Sequence, residues 1–234
     1  NAIFEMAEEA QGLVNQAHRY DQPRAAFYEH PNHQHRARDD DGWSTLRSKR
    51  HPNRYCQILN YQIPNNSNLR AIYLWPKLTE FVRRVLDVNR LYPSVCPHLA
   101  LTMKVAFEGD LDGWHYDPND GVITLMLQPS ESGGEFEYAP YIRNEQEENY
   151  TGVKRLFDSP DTEAQRIKLE AGTFTLFNGR FSMHRVRPVG STKQPRIVAI
   201  FSYDERPDMV FSQDYIDMLQ SFPQGPPDRN SSIN

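Results

Sequence analysis

Apolar residues recur every three or four positions at the start of the chain, at Ile3, Phe4, Ala7, Ala10, Leu13 and Val14. That spacing predicts an amphipathic helix. Residues 19–53 then turn polar and rich in His, Arg and Asp, and they read as one long loop of the kind compact domains keep for lids. Residues 55–61 predict a short strand. Residues 77–88 predict a helix that buries Leu78, Phe81, Val82 and Val85, with Pro76 at its start. From residue 98 the period shortens. Apolar runs fall at 98–107, 122–128, 135–138, 166–169, 173–177, 183–189 and 196–203. Turn signals such as Gly109-Asp110, Asn119-Asp120-Gly121, Gly133-Gly134 and Asn178-Gly179 separate several of them. Closely spaced strands with such turns predict an antiparallel sandwich or barrel, so the fold class is mainly β with flanking helices. One more helix is expected in an insertion at 141–160 and another near 213–222, and the Pro-, Asn- and Ser-rich last dozen residues are expected to lack structure. The chain then divides, within one domain, into N-terminal helical and loop elements (1–97), a β core (98–205) and a C-terminal helix and tail (206–234).

Composition narrows the function classes. With 38% hydrophobic and 24% charged residues, the chain has the make-up of a globular protein rather than a disordered one. A net charge of −5 and the absence of a basic stripe speak against a nucleic-acid partner. The longest apolar runs, such as 122–127, are far too short for a membrane span. Cys56 and Cys96 lie far apart and make neither a disulfide framework nor a zinc pattern, although a single bridge stays open. No secretory signal is visible, and a reducing cytoplasm is the expected compartment; because the chain opens at Asn1 rather than Met, a preceding segment stays open too. Nothing in the pattern sets an oligomeric state.

Three residues suggest chemistry. In Gly113-Trp114-His115-Tyr116-Asp117, residues two apart on extended backbone point to the same side, so an imidazole and a carboxylate can face one point. His184 opens a later strand that a sandwich can bring alongside. Two His and one carboxylate form the facial triad of non-haem iron(II) oxygenases, which leaves the opposite face of the metal open. With 8 His and 31 Asp plus Glu, a polar turn and a hydrogen-bonded, half-buried histidine are the plain alternatives. Arg196, twelve residues after His184, adds weight. An arginine buried beside a metal needs an anion, and a dicarboxylate chelating that metal would offer its far end to the guanidinium fork. An edge arginine paired with a surface acid is the alternative.

Together these pieces resemble the double-stranded β-helix (jelly-roll, cupin-like) oxygenases that use iron(II), 2-oxoglutarate and dioxygen. The resemblance spans 98–205. It rests on Gly113-Trp114-His115-Tyr116-Asp117, Thr124-Leu125-Met126-Leu127-Gln128, Gly133-Gly134-Glu135-Phe136-Glu137-Tyr138, Gly172-Thr173-Phe174-Thr175-Leu176-Phe177, His184-Arg185-Val186-Arg187-Pro188-Val189 and Pro195-Arg196, which stand in the family's order. It implies that His115, Asp117 and His184 bind iron and that Arg196 grips the distal carboxylate of 2-oxoglutarate. It implies oxidation of an unactivated C–H bond, by hydroxylation or by desaturation or ring closure. Many members place Ser or Thr two residues after this arginine. Here Val198 stands there, so a second contact must come from elsewhere. The stretch 125–138 with His184-Arg185-Val186 looks closest to a subgroup acting on free amino acids and similar small metabolites. Related halogenases carry Gly or Ala at the carboxylate position, and Asp117 therefore disfavours halogenation.

Substrate contacts are read from parity. Glu135 and Glu137 share a strand face that would meet an ammonium group or be a solvated face. Arg143 would meet a carboxylate or lie on the surface. Val198 and Ile200 share the parity of Arg196 and would line the pocket or pack in the core. Trp114 is expected to point away from the metal. His30, His33 and His35 invite a second-metal reading, but a solvated lid is favoured. Two other functions stay in view: prolyl-type hydroxylation of a protein side chain, and a non-catalytic cupin-like binding module.

Overall fold

A computed structural model describes residues 1–27, 43–117 and 121–227. The opening helix forms where the spacing puts it. α1 (Ala2–Leu13) starts on Asn1, whose side-chain oxygen accepts the Ile3 N–H at 3.1 Å, and it buries Met6, Ala7 and Ala10. The polar stretch 19–53 is not one loop. β1 (His18–Asp21), β2 (Arg24–Ala25), α2 (Ser44–Ser48) and β3 (Arg50–His51) form within or beside its ends, followed by β4 (Asn53–Ile58). Long-range pairing overrides local polarity here: β1 runs antiparallel to β4 from His18↔Gln57 to Asp21↔Arg54, and Tyr20 stacks on Tyr55 across the pair. His30, His33 and His35 lie outside the described residues, as does the tail from 228.

α3 (Asn68–Tyr73) escaped the periodicity because it is short. α4 (Pro76–Val85) starts with Pro76 in its first turn, where the missing N–H costs nothing. It buries Leu78 and Val82, but Phe81 and Val85 stay exposed at 54% and 53%, contrary to the sequence expectation. Only one stripe of this helix meets the core.

The β core follows as β5 (Tyr92–Pro93), β6 (Leu101–Ala106), β7 (Leu111–His115), β8 (Gly121–Gln128) and β9 (Phe136–Ala139). After the insertion helices α5 (Tyr150–Asp158) and α6 (Pro160–Glu163) come β10 (Gln165–Ile167), β11 (Phe174–Phe177), β12 (Met183–Val186) and β13 (Arg196–Asp204). α7 (Gln213–Gln220) packs Ile216 and Leu219 with Tyr20, Tyr55, Leu99 and Phe222. The sheet order β10-β9-β12-β7 makes one wall and β6-β13-β8-β11 the other, with β4 joining β7 to β6. The chain thus crosses between walls, and the curled antiparallel sheet is a jelly roll with flanking helices.

Strand alternation explains how this sheet makes a site. Leu101, Met103 and Val105 of β6 pack with Ile197, Ala199 and Phe201 of β13 and with Ile123, Leu125 and Leu127 of β8, under α1. Each such side chain removed from water stabilises the fold by about 1.5–3 kcal/mol. The opposite parity (Lys104, Ala106, Thr124, Arg196, Val198, Ile200) faces a cavity between the walls. Among the described residues no helix is long and apolar enough to cross a membrane.

Candidate metal centre

β7 delivers His115 at its last position, and β12 delivers His184 directly opposite, as ladder partners. The next pair is Val186↔Asp112, so three residues of β7 are matched by two of β12. This bulge changes the parity of β7 and lets both Asp112 and His115 face the cavity. The two imidazole centroids are 4.1 Å apart, and each histidine is buried. His115 Nδ1 lies 2.7 Å from the Gly113 carbonyl, and His184 Nδ1 lies 3.0 Å from the Ser182 carbonyl. Both Nδ1 atoms therefore carry a proton, which leaves Nε2 as the ring atom free to bind a metal. Those Nε2 atoms stand 3.8 and 3.6 Å from the same oxygen, Asp117 Oδ1.

The donor set fits a metal. One ligand atom from each of His115, Asp117 and His184 lies within 4.8 Å of the others. Burial, followed by the charge of Arg24 and the proximity of His184, pushes the His115 pKa well below its ordinary value, so the imidazole stays neutral. Asp117 Oδ2 is buried without a hydrogen-bond partner. Two imidazoles and a carboxylate that converge on one point suit an iron(II)-type ion.

Arg196 lies on the wall of the same cavity and is 4% exposed. Its Nε donates to the Gly134 carbonyl at 3.0 Å. Gly134 sits at φ +69, and a Cβ there would fall 2.9 Å from Arg196 Cδ, so the Gly133-Gly134 turn passes under the arginine only as glycine. Among the described residues no acid lies within ion-pair distance of Arg196. Burial pulls its pKa down to about 10, against the countering charge of Asp112. A buried guanidinium whose fork has no acid is matched to an incoming carboxylate.

Among the cavity residues that sequence reading missed are Lys104 and Asp112. Lys104 forms an ion pair with Asp112 and lies 4.1 Å over the Tyr55 ring. Asp112 Oδ1 is 3.7 Å from His115 Nδ1 and 3.8 Å from Arg24. The signal was there: each is a charge among mostly apolar strand neighbours. Lys104 is also the β6 partner of Val198, the position that lacks a hydroxyl.

Val198 and Ile200 line the cavity as parity predicts, and Trp114 packs away from it with Tyr116 and Met183. Glu135, Glu137 and Arg143 are not brought there, which corrects the substrate contacts read from sequence. Glu137 is fully buried and bound by Arg166, Arg185 and Arg187 at 2.8, 2.6 and 2.9 Å. Glu135 lies 3.9 Å from Arg187. Arg143 donates to the Arg180 carbonyl, pairs with Glu148 at 3.1 Å and lies 3.6 Å over the Tyr116 ring.

A family model described as Halogenase D matches residues 32–219. No curated protein matches. Among solved structures, a 2OG-Fe(II) oxygenase family oxidoreductase from Burkholderia pseudomallei aligns at 12% identity and TM-score 0.49, over 86% of this chain and 79% of that one. The non-haem alpha-ketoglutarate-dependent epimerase SnoN of nogalamycin biosynthesis aligns at 12% identity and TM-score 0.49, over 97% and 82%. Iron-bound HygX from Streptomyces hygroscopicus aligns at 15% identity and TM-score 0.43, over 68% and 77%. None of these three reaches a TM-score of 0.5.

Proposed function

The chain belongs to the Halogenase D family, enzymes of the iron/2-oxoglutarate type, and from that premise we propose that it inserts oxygen into an unactivated C–H bond of a small metabolite, a free amino acid or close derivative. It is a non-haem, 2-oxoglutarate-dependent dioxygenase by family. One observation carries the reading of this chain's own site: both imidazole Nε2 atoms converge on Asp117 Oδ1 in a cavity that also holds Arg196, which among the described residues has no acid at ion-pair distance.

His115, Asp117 and His184 would hold the iron. The Gly113 and Ser182 carbonyls accept from the Nδ1 atoms and so turn both Nε2 atoms toward the metal position. Arg196 would take the distal carboxylate of 2-oxoglutarate by its fork. When bound, iron(II) and 2-oxoglutarate supply the activation of dioxygen that breaks a C–H bond. The protein orients the carbon and excludes competing reactions. Phe136, Leu169, Phe177, Val186, Val198 and Ile200 give the cavity an apolar wall that keeps water from the reacting carbon. Asp117 favours oxygen over halide transfer, because its carboxylate would hold the position that a halide would need. The buried free thiols of Cys56 and Cys96 fit a reducing, cytoplasmic setting.

The test supplies iron(II), 2-oxoglutarate, dioxygen and chloride with a panel of free amino acids and matching short peptides. Mass spectrometry reads the products, and succinate is counted. One oxygen added to a free amino acid, with matching succinate, supports the proposal. Loss of two hydrogens assigns the same site to desaturation or ring closure. A chlorinated product, or turnover of peptides alone, overturns it.

A further inference from the structure

Gly179 lies in the turn between β11 and β12, and its carbonyl accepts the Asp117 N–H at 3.0 Å. Its φ lies outside the left-handed region, so the turn itself admits any L residue. A side chain there would nevertheless meet one obstacle. An ideal Cβ on Gly179 falls 1.9 Å from Asp117 Oδ2, 2.6 Å from its Cγ and 3.0 Å from its Cβ, and these are its three nearest neighbours. Oδ2 is buried and, among the described residues, meets no hydrogen-bond donor that would set the rotation of this carboxylate. Oδ1, the other oxygen, is the atom facing both imidazoles.

We infer that Gly179 is a positioning residue for the metal-ligating carboxylate, an inference that rests on the metal reading above. The bare Cα of Gly179 is the surface against which Oδ2 rests, and that contact turns Oδ1 toward His115 and His184. A side chain at 179 and a carboxylate at 117 exclude each other in this geometry. Gly179 therefore helps decide whether the centre keeps its third protein ligand. Through that ligand it bears on whether the centre transfers oxygen or opens a position to another anion. Asp117 alone does not specify the outcome; the pair Asp117–Gly179 does.

A double-mutant cycle tests this with Gly179→Ala, Asp117→Ala and the double variant. Two readouts are taken without turnover: anaerobic iron(II) affinity, and the melting temperature of the metal-free proteins. Gly179→Ala alone is expected to weaken iron(II) binding by about tenfold or more, the scale on which groups that orient metal ligands act. Added to Asp117→Ala, it is expected to change neither readout, because the obstacle is gone. Independent, additive losses overturn the inference, as does wild-type affinity in Gly179→Ala. If Gly179→Ala does not fold, the double variant decides: a folded double supports the clash, and an unfolded one shows that the turn itself needs glycine. Wild-type protein that binds no iron overturns the metal reading instead. The four metal-free melting temperatures then still report whether positions 179 and 117 are coupled.

Discussion

His115 and His184 are direct ladder partners on β7 and β12, and this pairing brings side chains 69 positions apart in sequence to 4.1 Å between ring centroids. Each ring is tied at Nδ1 to a carbonyl two residues away, so the pair is set before any ion arrives. Replacing His184 by Ala, or Asp117 by Ala, removes one of three ligands. Iron(II) affinity should fall by more than about tenfold, since groups merely orienting a ligand already cost that much. Anaerobic metal titration of folded variants reads it, and wild-type affinity in either would dismantle the triad.

Arg196→Ala should leave iron binding intact and raise the 2-oxoglutarate requirement. Truncating one partner of a buried charge pair costs about 2–5 kcal/mol of binding, or roughly thirtyfold upward. Arg196→Lys should recover only part of it, because an ammonium cannot present the bidentate fork. A 2-oxoglutarate titration at saturating iron distinguishes these, and an unchanged requirement in Arg196→Ala removes the carboxylate clamp.

The Lys104–Asp112 pair lies in the cavity wall, with Asp112 buried and Lys104 partly so. Asp112→Ala leaves an uncompensated ammonium there and should cost about 3–5 kcal/mol of stability. Adding Lys104→Met should restore part of it, the remainder belonging to Arg24, which also faces Asp112. Urea midpoints of the two variants check this, and a double variant no more stable than Asp112→Ala contradicts the pairing.

His51 titrates in the opposite sense to a salt-bridged histidine. Burial, then the charges of Lys49 and Arg185, pulls its pKa from 6.5 to about 4. Below pH 6.5 the unfolded chain takes a proton that the folded protein refuses. Stability is therefore lost as pH falls from 6.5 toward 4, by at most about 1.4 kcal/mol per unit. His51→Phe should flatten that part of the stability profile relative to wild type. An identical acid slope in both proteins would falsify the assignment.

Much of the site was legible because its chemistry sits on local patterns. His115-x-Asp117 needs only strand alternation, and Arg196 with Val198 and Ile200 declares its own parity along β13. What the sequence hid depends on distant partners. β1 forms within polar sequence because β4, which the pattern foresaw from residue 55, satisfies its ladder. Glu137 looked like a free acid for a substrate amine, yet three arginines, two on β12 or just beyond it and one on β10, converge on it. Asp112 reaches the cavity through a bulge that no alternation rule foresees. Phe81 and Val85 satisfied the helical period but found no neighbour to cover them.

The most direct test of the whole account is an anaerobic titration of the folded protein with iron(II) and then 2-oxoglutarate, followed by visible absorption. The account predicts the weak charge-transfer band of an iron-bound 2-oxoglutarate chelate, lost in Asp117→Ala and shifted to higher 2-oxoglutarate in Arg196→Ala. Folded wild-type protein that gives no band would contradict it and leave a jelly roll that binds something else.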